Sequence, residues 1–166
     1  MRRKKTILSI SFLSASTAIA LMLLPFAIIK RPLKDWIIVY LVSIIGNSLT
    51  DRFLVSRGYL GYRIRPFSHK VKIHLPFDYI LYPLLLLYYN QWTLNSKPIG
   101  IFLKLFPFVI PQVIVETIAA KKTELITWKK GWSWYHSAIS LGVKLLICRS
   151  IIAMIRVVNK DKISMS

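Results

Sequence analysis

The chain has 166 residues, of which 55% are hydrophobic, and a mean hydropathy of +0.52; one domain is expected, too apolar for an ordinary water-soluble fold of this size. Its net charge of +18 comes from 24 Lys and Arg against 6 Asp and Glu. These cations flank apolar runs instead of collecting on one basic face, which argues against nucleic acid and for contact with anionic lipid headgroups.

Residues 1–5 form a basic head, and residues 6–29 carry no charge. About 20 apolar residues cross a bilayer, so this run is long enough. A cleaved signal peptide is the rival reading, because Ala18-Ile19-Ala20 resembles a cleavage site. The apolar run continues past it to Ile29, which favours an uncleaved helix. The pairs Ser14/Ala18 and Ser16/Ala20 are four apart and suit close helix packing. A turn containing Lys30, Arg31, Pro32, Lys34 and Asp35 follows.

The second run, 36–55, holds Ser43, Gly46, Asn47, Thr50 and Asp51 at the spacing of one helix face. Lipid would leave those groups unpaired, so that face is expected to point into a bundle. The next loop, 56–75, carries Arg57, Arg63, Arg65, Lys70 and Lys72, with His69 and His74 among them. Two isolated histidines with no cysteine or clustered carboxylate do not make a metal site. The third run, 76–92, places Asp78, Tyr82 and Tyr89 on one stripe, and Pro76 suits a first helical turn. The fourth, 99–120, contains Lys104 and is expected to kink at Pro107 and Pro111; Gln112 and Glu116 share a face. A basic aromatic turn follows, with Lys121, Lys122, Lys129 and Lys130, and with Trp128, Trp132 and Trp134 as interfacial anchors. In the fifth run, 134–155, Ser137, Ser140, Lys144 and Cys148 form one stripe. Cys148, the lone cysteine, has no internal disulfide partner and reads as a small packing residue.

The fold expected is therefore all-α: a single polytopic membrane domain over 1–166, a helical bundle of about five transmembrane helices. With the N-terminus inside, 14 Lys and Arg lie in cytoplasmic segments and 7 in outer ones. That bias predicts N-in, C-out in the cell membrane.

Charge inside a span is costly, and it marks candidate sites. Asp78, Glu116, Lys144 and Arg149 form the candidate intramembrane polar cluster. Glu116 and Lys144 are expected to pair, because helical side chains lean toward their own N-termini and these two helices run in opposite directions. Asp51, Asp78, Glu116 and His136 are the one constellation that could host chemistry. No H-E-x-x-H, G-x-S-x-G or metal-ligand spacing occurs, so no catalytic residue, cofactor or metal is assigned. A non-enzymatic structural, regulatory or partner-binding role is the first expectation. A small transporter or channel subunit, acting as an oligomer, is the second. Partners expected are the bilayer with its anionic headgroups, and a second copy or another membrane protein.

Two sets of residues add a resemblance. Phe77-Asp78-Tyr79, Tyr82-Pro83 and Tyr88-Tyr89-Asn90 form one. Glu116, Thr123-x-Leu125-Ile126, Gly131-Trp132-x-Trp134-Tyr135 and Arg149 form the other. Over residues 36–150 the chain resembles a family of small multi-pass membrane proteins from spore-forming Gram-positive bacteria. It departs from that pattern where Asp78 replaces a usual Glu and where a proline after the paired tyrosines is missing. The resemblance implies a plasma-membrane protein of about five helices and carries no activity with it.

Overall fold

The computed structural model describes residues 2–28, 33–62 and 77–164, and within them the side chains of 5–27, 36–62 and 79–158. Of the expected turn from Lys30 to Asp35, residues 30–32 lie outside the described set. Lys34 and Asp35 belong to the first turn of a helix that starts at Leu33, their side chains outside that set. The histidines 69 and 74, Arg63, Arg65, Lys70 and Lys72, and the side chain of Asp78 also lie outside it. Helices α1 (Arg2–Ile28) and α2 (Leu33–Ser56) are followed by a two-residue strand, β1 (Leu60–Gly61). A single π turn, Phe77–Leu81, leads into α3 (Tyr82–Thr93). Then come α4 (Pro98–Leu103), α5 (Phe106–Lys122), β2 (Thr127–Trp128) and α6 (Trp134–Ser164). Among the described residues, four segments are long and apolar enough to cross a membrane: Lys5–Ala27, Trp36–Ser56, Pro98–Lys122 and Trp134–Val158.

The segment expected at 76–92 behaves differently from those four. Its five π-helical and twelve α-helical residues rise roughly 25 Å at about 1.5 Å per residue, against a hydrocarbon core of about 30 Å. What it lacks in length it makes up in burial. Leu84, Leu86, Leu87, Tyr89, Asn90 and Thr93 are all buried, and α3 packs against α1, α2 and α6. It is the centre of the bundle, with longer helices around it. On α1, the expected small-residue pairs divide: Ala20 is buried and Ser16 half-buried, whereas Ser14 and Ala18 are exposed.

Proline shapes two of the helices. Pro83 has no N–H to offer the carbonyl of Tyr79, four residues earlier. The hydroxyl of Tyr40 on α2 donates to that carbonyl instead, at 2.8 Å, and the helix before Pro83 widens into the π turn. The expected kink at Pro107 is a break: α4 ends at Leu103, and Pro107 sits in the first turn of α5, where its missing donor costs nothing. Leu105 N turns back to Phe102 O, at 3.1 Å, and the hydroxyl of Tyr89 donates to the carbonyl of Ile101, at 2.9 Å. Pro111 stays within α5.

Two ends of the bundle can be told apart. At one, β1 pairs antiparallel with β2, Leu60 opposite Trp128 and Gly61 opposite Thr127. The Glu124 amide donates to Ser9 Oγ near the start of α1, at 3.0 Å. Leu125 and Ile126 bury themselves in a small cluster with Ala119, against Phe12, Leu13, Tyr62 and Trp128. At the other end, Gln91 Nε2 donates to Ala27 O at 2.6 Å and Arg149 Nη2 donates to Leu94 O at 3.1 Å. The starts of α1 and α6 thus share an end with the ends of α2 and α5. The β ladder is too short to leave a periodic pattern in the sequence.

The turn into α6 needs two consecutive left-handed residues, Lys130 at φ 50° and Gly131 at φ 78°. A Cβ at Gly131 would meet nothing within 4 Å, so Gly131→Ala tests the backbone alone. It should destabilise by about 1–2 kcal/mol, seen as a lower midpoint of thermal unfolding in detergent.

Candidate functional site

Glu116 lies in the penultimate turn of α5, where the sequence pattern puts it one turn beyond Gln112 on the inward face. It is 9% exposed. Ser137, in the first turn of α6, donates its hydroxyl to Glu116 Oε1 at 2.7 Å. The indole of Trp132 donates in turn to Ser137 Oγ at 3.0 Å. This relay ties the carboxylate to the turn before α6. Asp51 enters from the last turns of α2, and the hydroxyl of Tyr62, just after β1, donates to its Oδ1. The β ladder positions Tyr62 for that contact, since Gly61 is its last rung.

Between these groups is a cavity of about 40 Å³, lined by Asp51, Tyr62, Tyr82, Gln112, Glu116, Trp132, Ser137, Ser140 and Lys144 among others. A water needs roughly 10–15 Å³ of such space, so a few could be held there on polar partners. Lys144 reaches in from α6 with its ammonium over the Tyr82 ring, 5.2 Å from the centroid. Both Lys144 and Asp51 are within electrostatic reach of Glu116. Two carboxylates and one ammonium therefore share a small, mostly enclosed space, and Trp132 forms one wall. Trp132 is itself held by Tyr59, with ring centroids 5.9 Å apart, and stacks on His136 at 5.2 Å.

The candidate residues divide among several places. Glu116 and Lys144 line the same cavity. Asp78 stands in the π turn, with its side chain outside the described residues. Arg149 is at the opposite end, 8% exposed, where its Nη2 caps the last carbonyls of α3, a position favoured for a cation by the helix dipole. Lys104 turns toward the same end; its ammonium donates to Trp92 O at 3.0 Å and Ser96 Oγ at 2.9 Å. Of the three tryptophans, Trp134 is 59% exposed, Trp128 is half-buried in β2, and Trp132 belongs to the cavity wall.

The constellation of Asp51, Asp78, Glu116 and His136 comes together only in part. Asp51 and Glu116 meet at the cavity. His136 sits beside it, its Nδ1 3.1 Å from Ser133 Oγ and its ring against Tyr135 and Trp132. Among the described residues no group of three or more His, Cys, Asp or Glu could hold a metal ion. Sequence reasoning did not anticipate Tyr62 or the wall formed by Trp132. Asp51 carried a signal, as the residue one turn beyond Asn47; Tyr62 carried none, because a loop brings it to the site.

What these elements define is a helical bundle with a charged internal cavity at one end. No known protein family matches the chain, and no curated protein or solved structure is similar to it at a significant level.

Reversing charge at one side of the cavity strands a buried like-charge group. Glu116→Lys or Lys144→Glu alone should cost on the order of 3–5 kcal/mol, the range for breaking buried pairs, and should reduce the amount of protein accumulating in the membrane. The double swap should recover much of that loss. Recovery no better than the worse single variant would separate the two residues energetically.

Proposed function

We propose that this protein is a five-pass protein of the cell membrane, N-terminus inside and C-terminus outside, with a non-enzymatic structural or partner-binding role at the inner leaflet. It would belong with the family of small membrane proteins that its residues resemble. The fifth crossing in this reading is Phe77–Thr93, admitted by its central packing rather than by its length. The observation that carries the role is the relay from Trp132 through Ser137 to Glu116. It couples a buried charge cluster to a surface that is basic and aromatic.

That surface has a built form. Lys130 Nζ donates to Arg57 O at 2.7 Å, joining the two loops beyond their ladder. Arg57, Lys121, Lys122, Lys129 and Lys130 are exposed there, with Tyr59, Trp134 and Tyr135. Cations and amphipathic rings at one level suit an anionic headgroup layer, at about 1 kcal/mol for each Lys or Arg near the surface. Phosphatidylglycerol in phosphatidylcholine vesicles should raise the thermal midpoint of the reconstituted protein. Replacing Lys121, Lys122 and Lys129 with Gln should abolish the difference between the two lipids. A wild-type protein indifferent to phosphatidylglycerol would remove this role.

One observation favours a second reading, the small transporter or channel subunit. Lys144 lines both the cavity and a mostly apolar groove between α2 and α6, where Ser43, Asn47 and Thr50 continue the polar side chains beyond the cavity. Proteoliposomes with an entrapped pH dye separate the readings. The transporter reading requires a flux that Lys144→Gln removes; the first reading requires none.

A further inference from the structure

The groove between α2 and α6 encloses about 360 Å³ and is lined by Ser43, Gly46, Asn47, Thr50, Lys144 and Cys148 with apolar neighbours. It lies within two of the segments able to cross a membrane, Trp36–Ser56 and Trp134–Val158. Hydrocarbon offers no hydrogen-bond partner at that depth. Asn47, on the groove's floor, is 2% exposed, and neither the nitrogen nor the oxygen of its amide has a hydrogen-bond partner among the described residues. Beside it, Gly46 is exposed, and a Cβ there would meet nothing within 4 Å. A second backbone can therefore come close to α2 at this point.

An amide that lacks both a donor and an acceptor is completed best by a group that offers both. We propose that the groove is the docking surface for a second copy of this chain, α2 against α2, with the two Asn47 amides bonded reciprocally. Insertion gives every copy the same orientation in the bilayer, so a two-fold axis between them lies along the membrane normal. Identical residues then meet at the same depth. Each Asn47 turns outward from the floor to donate to the other's oxygen and accept from the other's nitrogen, which satisfies four groups at once. A lipid chain would fill the same space and leave the amides open. The proposal needs α2 and α6 to cross the membrane and is independent of the role given to the cavity.

The test uses disulfide crosslinking in native membranes, in a Cys148→Ser background that removes the lone native thiol. Gly46→Cys should give an adduct of about twice the chain's mass on mild oxidation. Ile114→Cys, on an exposed face of α5, should stay monomeric. Adding Asn47→Leu should lower the crosslinked fraction about threefold to tenfold, the effect of losing an interhelical hydrogen bond in lipid. Because Asn47→Leu could also disturb folding, dye-labelled wild-type protein in supported bilayers should bleach in two steps. Crosslinking at Gly46 no better than at Ile114, an adduct with the mass of a different protein, an unchanged dimer fraction in Asn47→Leu, or single-step bleaching would each overturn the proposal.

Discussion

A carboxyl group among apolar helices needs hydrogen-bond donors and polar neighbours fixed around it, and at Glu116 they are. Ser137 donates to it, Trp132 orients Ser137, and Lys144 shares its cavity. Each of these residues comes from α6 or the turn before it. The short connection between α5 and α6 is thus shaped by the needs of one side chain. Thr123 ends α5 in an extended conformation and accepts from Leu125 N at 3.2 Å. Leu125 and Ile126 can then drop into their apolar cluster. Lys130 and Gly131 supply the left-handed turn that brings Trp132 back over the cavity.

A related constraint, that a backbone carbonyl in an apolar setting needs a donor, accounts for three tyrosines of the bundle. Tyr40 supplies the donor that Pro83 cannot, Tyr89 covers the carbonyl of Ile101 beside the break in the fourth segment, and Tyr88 reaches Leu23 O on α1 at 2.8 Å. Each bond also joins two elements, so the repair of a local backbone fault becomes a tertiary contact. A phenol suits this role because its ring packs as an apolar body and its hydroxyl ends as a single donor. Arg149 and Gln91 do the equivalent work at helix C-termini, on α3 and α1.

Much of this was legible from spacing, and the limits have physical causes. Of the expected inward face on α2, Ser43, Asn47 and Asp51 are buried, Thr50 is half-buried and Gly46 is exposed. Four-residue spacing holds one line of side chains inward, while the positions beside it sit at the edge of the contact. The inward positions of Glu116 and Ser137 follow from the same rule. The break at Lys104–Leu105 was harder to see, since proline in an apolar run announces either a kink or a new start, and only packing decides which. The third segment illustrates the reverse problem. Its polar residues suggested a modest amphipathic span, whereas Tyr89, Asn90 and Thr93 are buried at the bundle's centre. Tyr62 and the β ladder depend on two loops meeting across more than sixty residues of sequence, and no local pattern encodes that meeting.

Lys144 borders both the charged cavity and the mostly apolar groove on α2 and α6. Whatever fills the groove therefore sets the environment of the ammonium that faces Glu116. On its other side the cation lies over the Tyr82 ring and shares the cavity with two carboxyl groups. Any effect that filling the groove has on the cavity would, by linkage, be matched by an equal effect of the cavity on what fills the groove. The basic aromatic surface lies at the far end of that chain of contacts, reached through Ser137 and Trp132. A single lysine thus borders both the space between α2 and α6 and the cavity to which Ser137 and Trp132 are tied.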